Sequence, residues 1–256
     1  MTATEILSLL FAATAAGGIN AVAGGGTILT FPTLLAFGTP AVVANATSTV
    51  ALVVGTSGSV YGFRKHIPSV REWLWRFVPV SLLGGLIGSW LLTITSNDSF
   101  SRLVPWLILF ATLLFLAQGL VARMIRGSAA DRPGPGKIRA AVLFQFFVSI
   151  YGGFFGAGIG ILMLATLGFM GQTDIHRMNT LKNILGSLIN VVAATMFISR
   201  GLVAWPKAGV MIVGAIAGYF LGSHFSQKIP RLWVRRIVLA IGFGISAVTF
   251  YQQMHR

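Results

Sequence analysis

The 256-residue sequence predicts an all-α polytopic membrane protein of two inverted repeats, each a glycine-broken helical hairpin followed by three spanning helices. Three observations carry that prediction: composition, an internal duplication, and the placement of the basic residues. Hydrophobic residues make up 55% of the chain and charged residues 9%, where a soluble domain is about a quarter charged. Gly18, Gly24 and Gly26 recur 134 positions later as Gly152, Gly158 and Gly160, with no gap. The same offset carries Thr39 and Asn45 to Thr173 and Asn179, and Gly84, Gly88 and Ser89 to Gly218, Gly222 and Ser223. A constant offset held over that length marks two copies of one structural unit.

The elements follow in chain order. The first apolar stretch, Ile6 to Ala16, lacks the positive n-region of a secretory signal, so it is expected to be retained as a helix. Gly17 to Thr27 is too glycine-rich for a continuous helix, and Pro32 follows closely, so a break is expected around Gly24 to Gly26. The matching break in the second copy falls at Gly156 to Gly160. Each break is followed by a polar-faced helix and then by two plain apolar helices. Phe77 to Thr95, Leu103 to Val121 and Ala208 to Phe225 approach or match the roughly 20 residues that cross the hydrocarbon core. The Pro/Gly run Asp131 to Gly136 reads as a loop. The expected division is repeat 1 over 1–125, a cytoplasmic linker over 126–139, and repeat 2 over 140–256.

If each glycine-rich segment doubles back as a hairpin, each copy crosses an odd number of times and the second copy is inverted. The loops test this through the excess of Lys and Arg on the cytoplasmic side. On a five-plus-five count, 15 of the 19 basic residues fall inside, in clusters around Arg64 to Arg76, Arg123 to Arg139, Arg177 to Lys182 and Lys228 to Arg236. Only Arg102, Arg200, Lys207 and Arg256 fall outside, with both termini. A four-plus-four count would send Lys228 to Arg236 outside. The net charge of +14 therefore reads as orientation and contact with anionic lipid, and a nucleic-acid partner is not expected.

Broken helices at matching places in two copies point to a binding site between them. Helix starts freed at such breaks present backbone N–H groups and the positive dipole end to an anion. The candidates are Gly24, Gly25 and Gly26 in the first copy and Gly158 and Gly160 in the second. Gly84/Gly88 and Gly218/Gly222, at four-residue spacing inside helices, read instead as close-packing positions. On that reading Gly84→Ala should be milder than a large residue at Gly25. The helix after each break adds polar side chains: Asn179, Asn183, Gly186 and Asn190 lie on one stripe, matched by Asn45, Thr49, Leu52 and Thr56. Lys182 stands beside that stripe, with Ser48 at its matching position. A lysine inside a span costs about 2.5–3.5 kcal/mol on insertion scales, so it needs compensation. It could snorkel to the interface, pair with Asp174, or coordinate an anion. Asn45, Ser48, Asn179 and Asn183 are the candidate hydrogen-bonding groups around it.

What the chain lacks narrows the chemistry. It has five acidic residues, of which only Asp174 lies near the proposed site, so the oxygen-ligand set of a cation or metal carrier is missing. Asp174 and His176 are the only titrating pair in reach. With no cysteine, disulfides, thiolate metal sites and thiol catalysis are excluded. No cofactor is expected. Gly55-Thr56-Ser57-Gly58 imitates the nucleophile motif of intramembrane serine proteases, with His224 as the conceivable base. The second copy lacks this motif, which leaves an intramembrane hydrolase as a minor alternative. A non-transporting membrane assembly factor is another, but it would need none of the polar stripe.

Gly24-Gly25-Gly26-Thr27 through Pro32-Thr33-Leu34-Leu35, Ala44-Asn45-Ala46-Thr47-Ser48, and the terminal Gly84-x-x-x-Gly88-Ser89 with its partner resemble the TauE/SafE sulfite exporter family, also called 4-toluene sulfonate uptake permeases. The resemblance covers nearly the whole chain. It implies a permease of the bacterial inner membrane that moves sulfite, sulfoacetate or another organosulfur or small organic anion. The second copy departs from the first where Thr166 replaces Pro32 and Lys182 replaces Ser48. The combined expectation is an alternating-access carrier with the lipid bilayer and a small anion as partners, compatible with a homo-oligomer.

Overall fold

The computed structural model describes residues 1–22, 25–127, 134–172, 174–225 and 231–254. Ten α-helices carry nearly all of them: α1 Ala3–Val22, α2 Thr27–Ala36, α3 Ala41–Phe63, α4 Arg71–Ile94, α5 Asn97–Gly127, α6 Pro135–Phe154, α7 Ile159–Phe169, α8 Ile175–Ser199, α9 Trp205–Phe225 and α10 Arg231–Met254. A short 3-10 helix, Arg64–Val70, joins α3 to α4. Shifting α1 to α5 by the sequence offset superposes them in order on α6 to α10, with the short helices α2 and α7 in matching places. The breaks fall where glycine allows them, with positive φ at Gly25 (99°), Gly156 (78°) and Gly158 (78°). Pro32 does not end a helix. It sits inside α2, which is short enough to absorb the lost bond.

Four stretches are long and apolar enough to cross a membrane among the described residues: Ala3–Asn20, Ile67–Ile94, Asn97–Arg123 and His176–Ser199. The outer surface matches. Phe11 is 77% exposed and Trp75 and Phe220 are 73% exposed, the inverse of a soluble surface and a fit to lipid. Inside, Phe31 of α2 meets Phe155 edge-on at 5.5 Å between centroids, and Phe100 of α5 meets Phe154 at 5.5 Å. The aromatic end of α6 is thus wedged between helices of the first copy.

The tightest helix pairs join the copies reciprocally. α1 packs along α9 and α4 along α6, and these pairs correspond under the repeat offset. Small residues permit the approach. A Cβ added at Gly218 would collide with the Thr14 carbonyl, and one at Gly84 would lie 2.6 Å from the Phe146 carbonyl oxygen and 2.7 Å from Ser149 Cβ. In lipid, such packing replaces the hydrophobic drive that holds soluble helices together. Gln145 of α6 adds a donor to Ser81 of α4 at 3.1 Å.

Gly84→Ala still reads as milder than a large residue at Gly25, but not as free of cost: two of its three nearest neighbours, the Phe146 carbonyl oxygen and the Ile150 nitrogen, are backbone atoms of α6, which cannot move aside. Overpacking of this kind costs about 1–3 kcal/mol. Gly84→Ala should lower the melting temperature in detergent, whereas Gly209→Ala, with nothing within 4 Å, should leave it unchanged. Equal melting temperatures for the two would contradict the α4/α6 contact.

Polar contacts define one end of the bundle. Lys207, at the start of α9, donates to Glu5 of α1 at 2.7 Å, to the Phe37 carbonyl after α2 at 3.2 Å, and to Thr39 before α3 at 2.9 Å. The Val42 N–H of α3 donates to Asn97, which opens α5, at 3.0 Å. The Ala204 N–H, just before α9, donates to Thr47 of α3 at 3.0 Å. α1 therefore starts, and α2 ends, at the same end of the bundle. α8 arrives at the end from which its counterpart α3 departs. The starts of α4, α6 and α8 meet around Phe77, Ala141 and Met178 in a separate core cluster.

Candidate functional site

A cavity of about 100 Å³ lies where the two breaks and the two polar-faced helices meet. Gly25 and Thr27 enter it from the first break, and Gly156 and Gly160 from the second. Thr49, Leu52 and Thr56 of α3 face Lys182, Asn183, Gly186, Ser187 and Asn190 of α8. Asn20 of α1 and Tyr219 of α9 complete the polar wall, while Phe155, Ile159 and Met163 supply apolar surface. Among the described residues, no carboxylate lines it.

The local sequence explains how each break is held. In the first, the Gly26 N–H is taken up by the Asn20 side-chain oxygen at 2.7 Å, and the Ile28 N–H turns back to the Gly25 carbonyl at 3.1 Å. In the second, the Gly156 N–H bonds the Tyr151 carbonyl at 3.1 Å, and the Tyr151 hydroxyl donates to the Ala157 carbonyl at 2.7 Å. Gly158 caps α7 in the left-handed region with no side-chain cap. Ile159 and Gly160 place the first turn of α7 in the cavity wall. The stem of Lys182 lies over Gly160, its Cδ 3.3 Å from where a Cβ would stand. A side chain at Gly160 would press on that stem.

Of the candidates read from the sequence, Gly25, Gly160, Lys182 and Asn183 line the cavity. Gly26 is buried behind it, its N–H spent on Asn20. Asn45 is buried and donates to the Phe154 carbonyl at 3.0 Å, tying α3 to the end of α6. Ser48 shares a 2.6 Å hydrogen bond with Thr30 and so ties α3 to α2. Gly158 turns toward Leu114 and Ala111 of α5. Asn179 is half-buried near the start of α8, away from the lining. Gly24 and the side chains of Ser57 and His224 lie outside the described residues. Asp174 caps α8, accepting from the His176 and Arg177 N–H groups, and meets the Arg177 guanidinium at 3.3 Å.

Asn20 and Tyr219 were not singled out from the sequence. Asn20 is the one amide inside the first glycine-rich segment, which is a usable signal. Tyr219 matches Gly85 under the repeat offset, so the departure between copies marks it.

Residues 9–249 match the family Sulfite exporter TauE/SafE. A probable membrane transporter protein of Haemophilus influenzae is 27% identical over 252 residues, covering 97% of this chain and 96% of the relative. The probable membrane transporter protein YfcA of Escherichia coli K12 is 25% identical, covering 95% and 88%. The probable membrane transporter protein ORF9 of a Sinorhizobium species is 28% identical, covering 93% and 92%. No solved structure matches the chain. With spanning helices around a shared cavity and a match over nearly its whole length, the chain belongs to the TauE/SafE sulfite exporter family of multi-pass membrane transporters.

Proposed function

We propose that this transporter carries a small anion, sulfite, sulfoacetate or another organosulfur or organic anion, through the cavity between its two copies. The observation that carries the reading is the cavity wall: one lysine, several amides and hydroxyls, an uncapped helix start, and no carboxylate among the described lining residues. Such a wall favours negative charge and offers a metal cation or ammonium group little. Purified protein in proteoliposomes should take up labelled sulfite, sulfoacetate or small sulfonates and carboxylates, in competition with one another. Uptake of cations or neutral solutes, with none of these anions, would refute the reading.

Transport by alternating access of two inverted copies is the second part of the proposal. Its support is the opposite course of α3 and α8 at one bundle end, and the hairpin α1–α2 that enters and leaves at that end. Arg102, Arg200 and Lys207 lie toward that end, while Arg71, Arg76, Arg139 and Arg177 lie near helix starts at the other, which supports a cytoplasmic second end. The cytoplasmic linker over 126–139 and the external termini belong to the same proposal. Single cysteines at Gly134, in open space, and at Gln253, exposed near the end of α10, should label from opposite sides of intact cells. Labelling of both from one side would rule out the inverted arrangement.

A further inference from the structure

We propose that the Tyr219 hydroxyl is a substrate-binding donor that, with Lys182 on a different helix, selects oxyanions; this rests on the anion reading above. Tyr219 lines the cavity, is 9% exposed, and its hydroxyl has no hydrogen-bond partner. Asn20 lies beside that hydroxyl, but its oxygen is committed to the Gly26 N–H at 2.7 Å, so its amide nitrogen can only donate toward the phenol oxygen and supplies no acceptor for the O–H. A buried hydroxyl left unmade is costly and calls for a reason. A ligand oxygen in the cavity supplies one.

The fold spends other residues on keeping the ring there. Gly17 of α1 allows the backbone at Tyr219 to approach, since a Cβ at Gly17 would lie 2.9 Å from the Tyr219 nitrogen. Gly55 of α3 makes the slot for the ring: a Cβ on Gly55 would fall within it. That assigns a purpose to the first glycine of Gly55-Thr56-Ser57-Gly58 without a nucleophile. The matching contact in the other half is reversed, with Gly85 against Ile189 at 3.4 Å. The phenol donor is therefore present in one half only, as Lys182 is. Two donors on two helices suit a head group with at least two acceptor oxygens, such as sulfite or a sulfonate, rather than a spherical anion.

The test is sulfite uptake into proteoliposomes by Tyr219→Phe, which removes the oxygen and keeps the ring. KM should rise about ten- to a hundredfold, as for a lost hydrogen bond to a charged group, with maximal rate and detergent melting temperature little changed. Gly55→Ala, which displaces the ring, should raise KM as well, and the double variant should be no worse in KM than the poorer single one. An unchanged KM in Tyr219→Phe overturns the assignment. If wild-type protein moves none of the oxyanions, the anion reading fails and the assignment fails with it; if wild type moves sulfite and Tyr219→Phe matches it, only the assignment fails.

Discussion

Gly25→Leu is expected to abolish transport, and two separate effects of that substitution need to be told apart. Gly25 sits at φ 99°, where a residue with a Cβ loses about 1–2 kcal/mol. Its added Cβ would also run into the ring of Phe115, a fully buried side chain of the core. On the sequence reading, with Gly25 as a backbone donor to the anion, a large side chain there blocks the site. The structure adds a packing cost, so the thermal stability of the purified variant must be measured beside its flux. Gly25→Ala is the smaller probe, and pairing it with Phe115→Ala removes the collision while keeping the Cβ at the cavity wall. If the pair stays inactive at matched abundance and recovered stability, backbone access at Gly25 is what transport needs. Recovered flux in the pair would show that Gly25 serves packing alone.

Much of this arrangement was legible in the sequence because glycine marks both kinds of place it occupies. Gly25, Gly156 and Gly158 adopt positive φ, and only glycine does so cheaply, so the breaks could be placed to within a few residues. Gly84, Gly88 and Gly218 allow helix contact, and their four-residue spacing disclosed one face. Periodicity also placed Asn183, Gly186 and Asn190 on a common stripe with Lys182 beside it, and all four line the cavity. Spacing on a helix identifies a face, however, and not the neighbour across from it. Asn45 and Ser48 lie on the matching helix, yet they bond to Phe154 and Thr30, because in this copy α2 and the end of α6 occupy the space. Glu5 and Lys207 are far apart in sequence and each reads as an ordinary helix-end charge. Their 2.7 Å contact follows from the parallel packing of α1 on α9, which no local pattern reports.

The departures between copies concern residues of the cavity wall: Lys182 and Tyr219 line it, where the first copy has Ser48 and Gly85. Duplication fixes backbone geometry twice, but a substrate with one charged head requires the cavity to be unequal. On the anion reading, Lys182 against Ser48 and Tyr219 against Gly85 would supply that inequality, while Gly18 and Gly152 or Gly84 and Gly218 recur in both copies. The hairpin breaks are common to both copies, and neither short helix has a side-chain cap; they differ in that the Asn20 oxygen takes up the Gly26 N–H in the first.

Lys182→Met should raise the KM for the transported anion by about ten- to a hundredfold, the second of the two largest effects expected. Methionine keeps the length and most of the apolar stem, so the contact over Gly160 survives, while the ammonium and its polar interactions are lost. Removing an intramembrane lysine also lifts an insertion cost of about 2.5–3.5 kcal/mol, so abundance should rise while affinity falls. The two effects oppose each other in a whole-cell assay, and flux must be normalised to protein in the membrane. A charge-assisted hydrogen bond is worth about 1.5–3 kcal/mol, which converts to the fold-change given. Lys182→Arg separates charge from geometry: it restores the positive charge, but its planar fork is bulkier and directs its donors differently. In a cavity of about 100 Å³ it should recover less than half of the lost affinity. A lysine that merely snorkels would give Met and Arg variants with wild-type KM, and that result would leave the helix start at α7, the amides and Tyr219 as the source of anion preference.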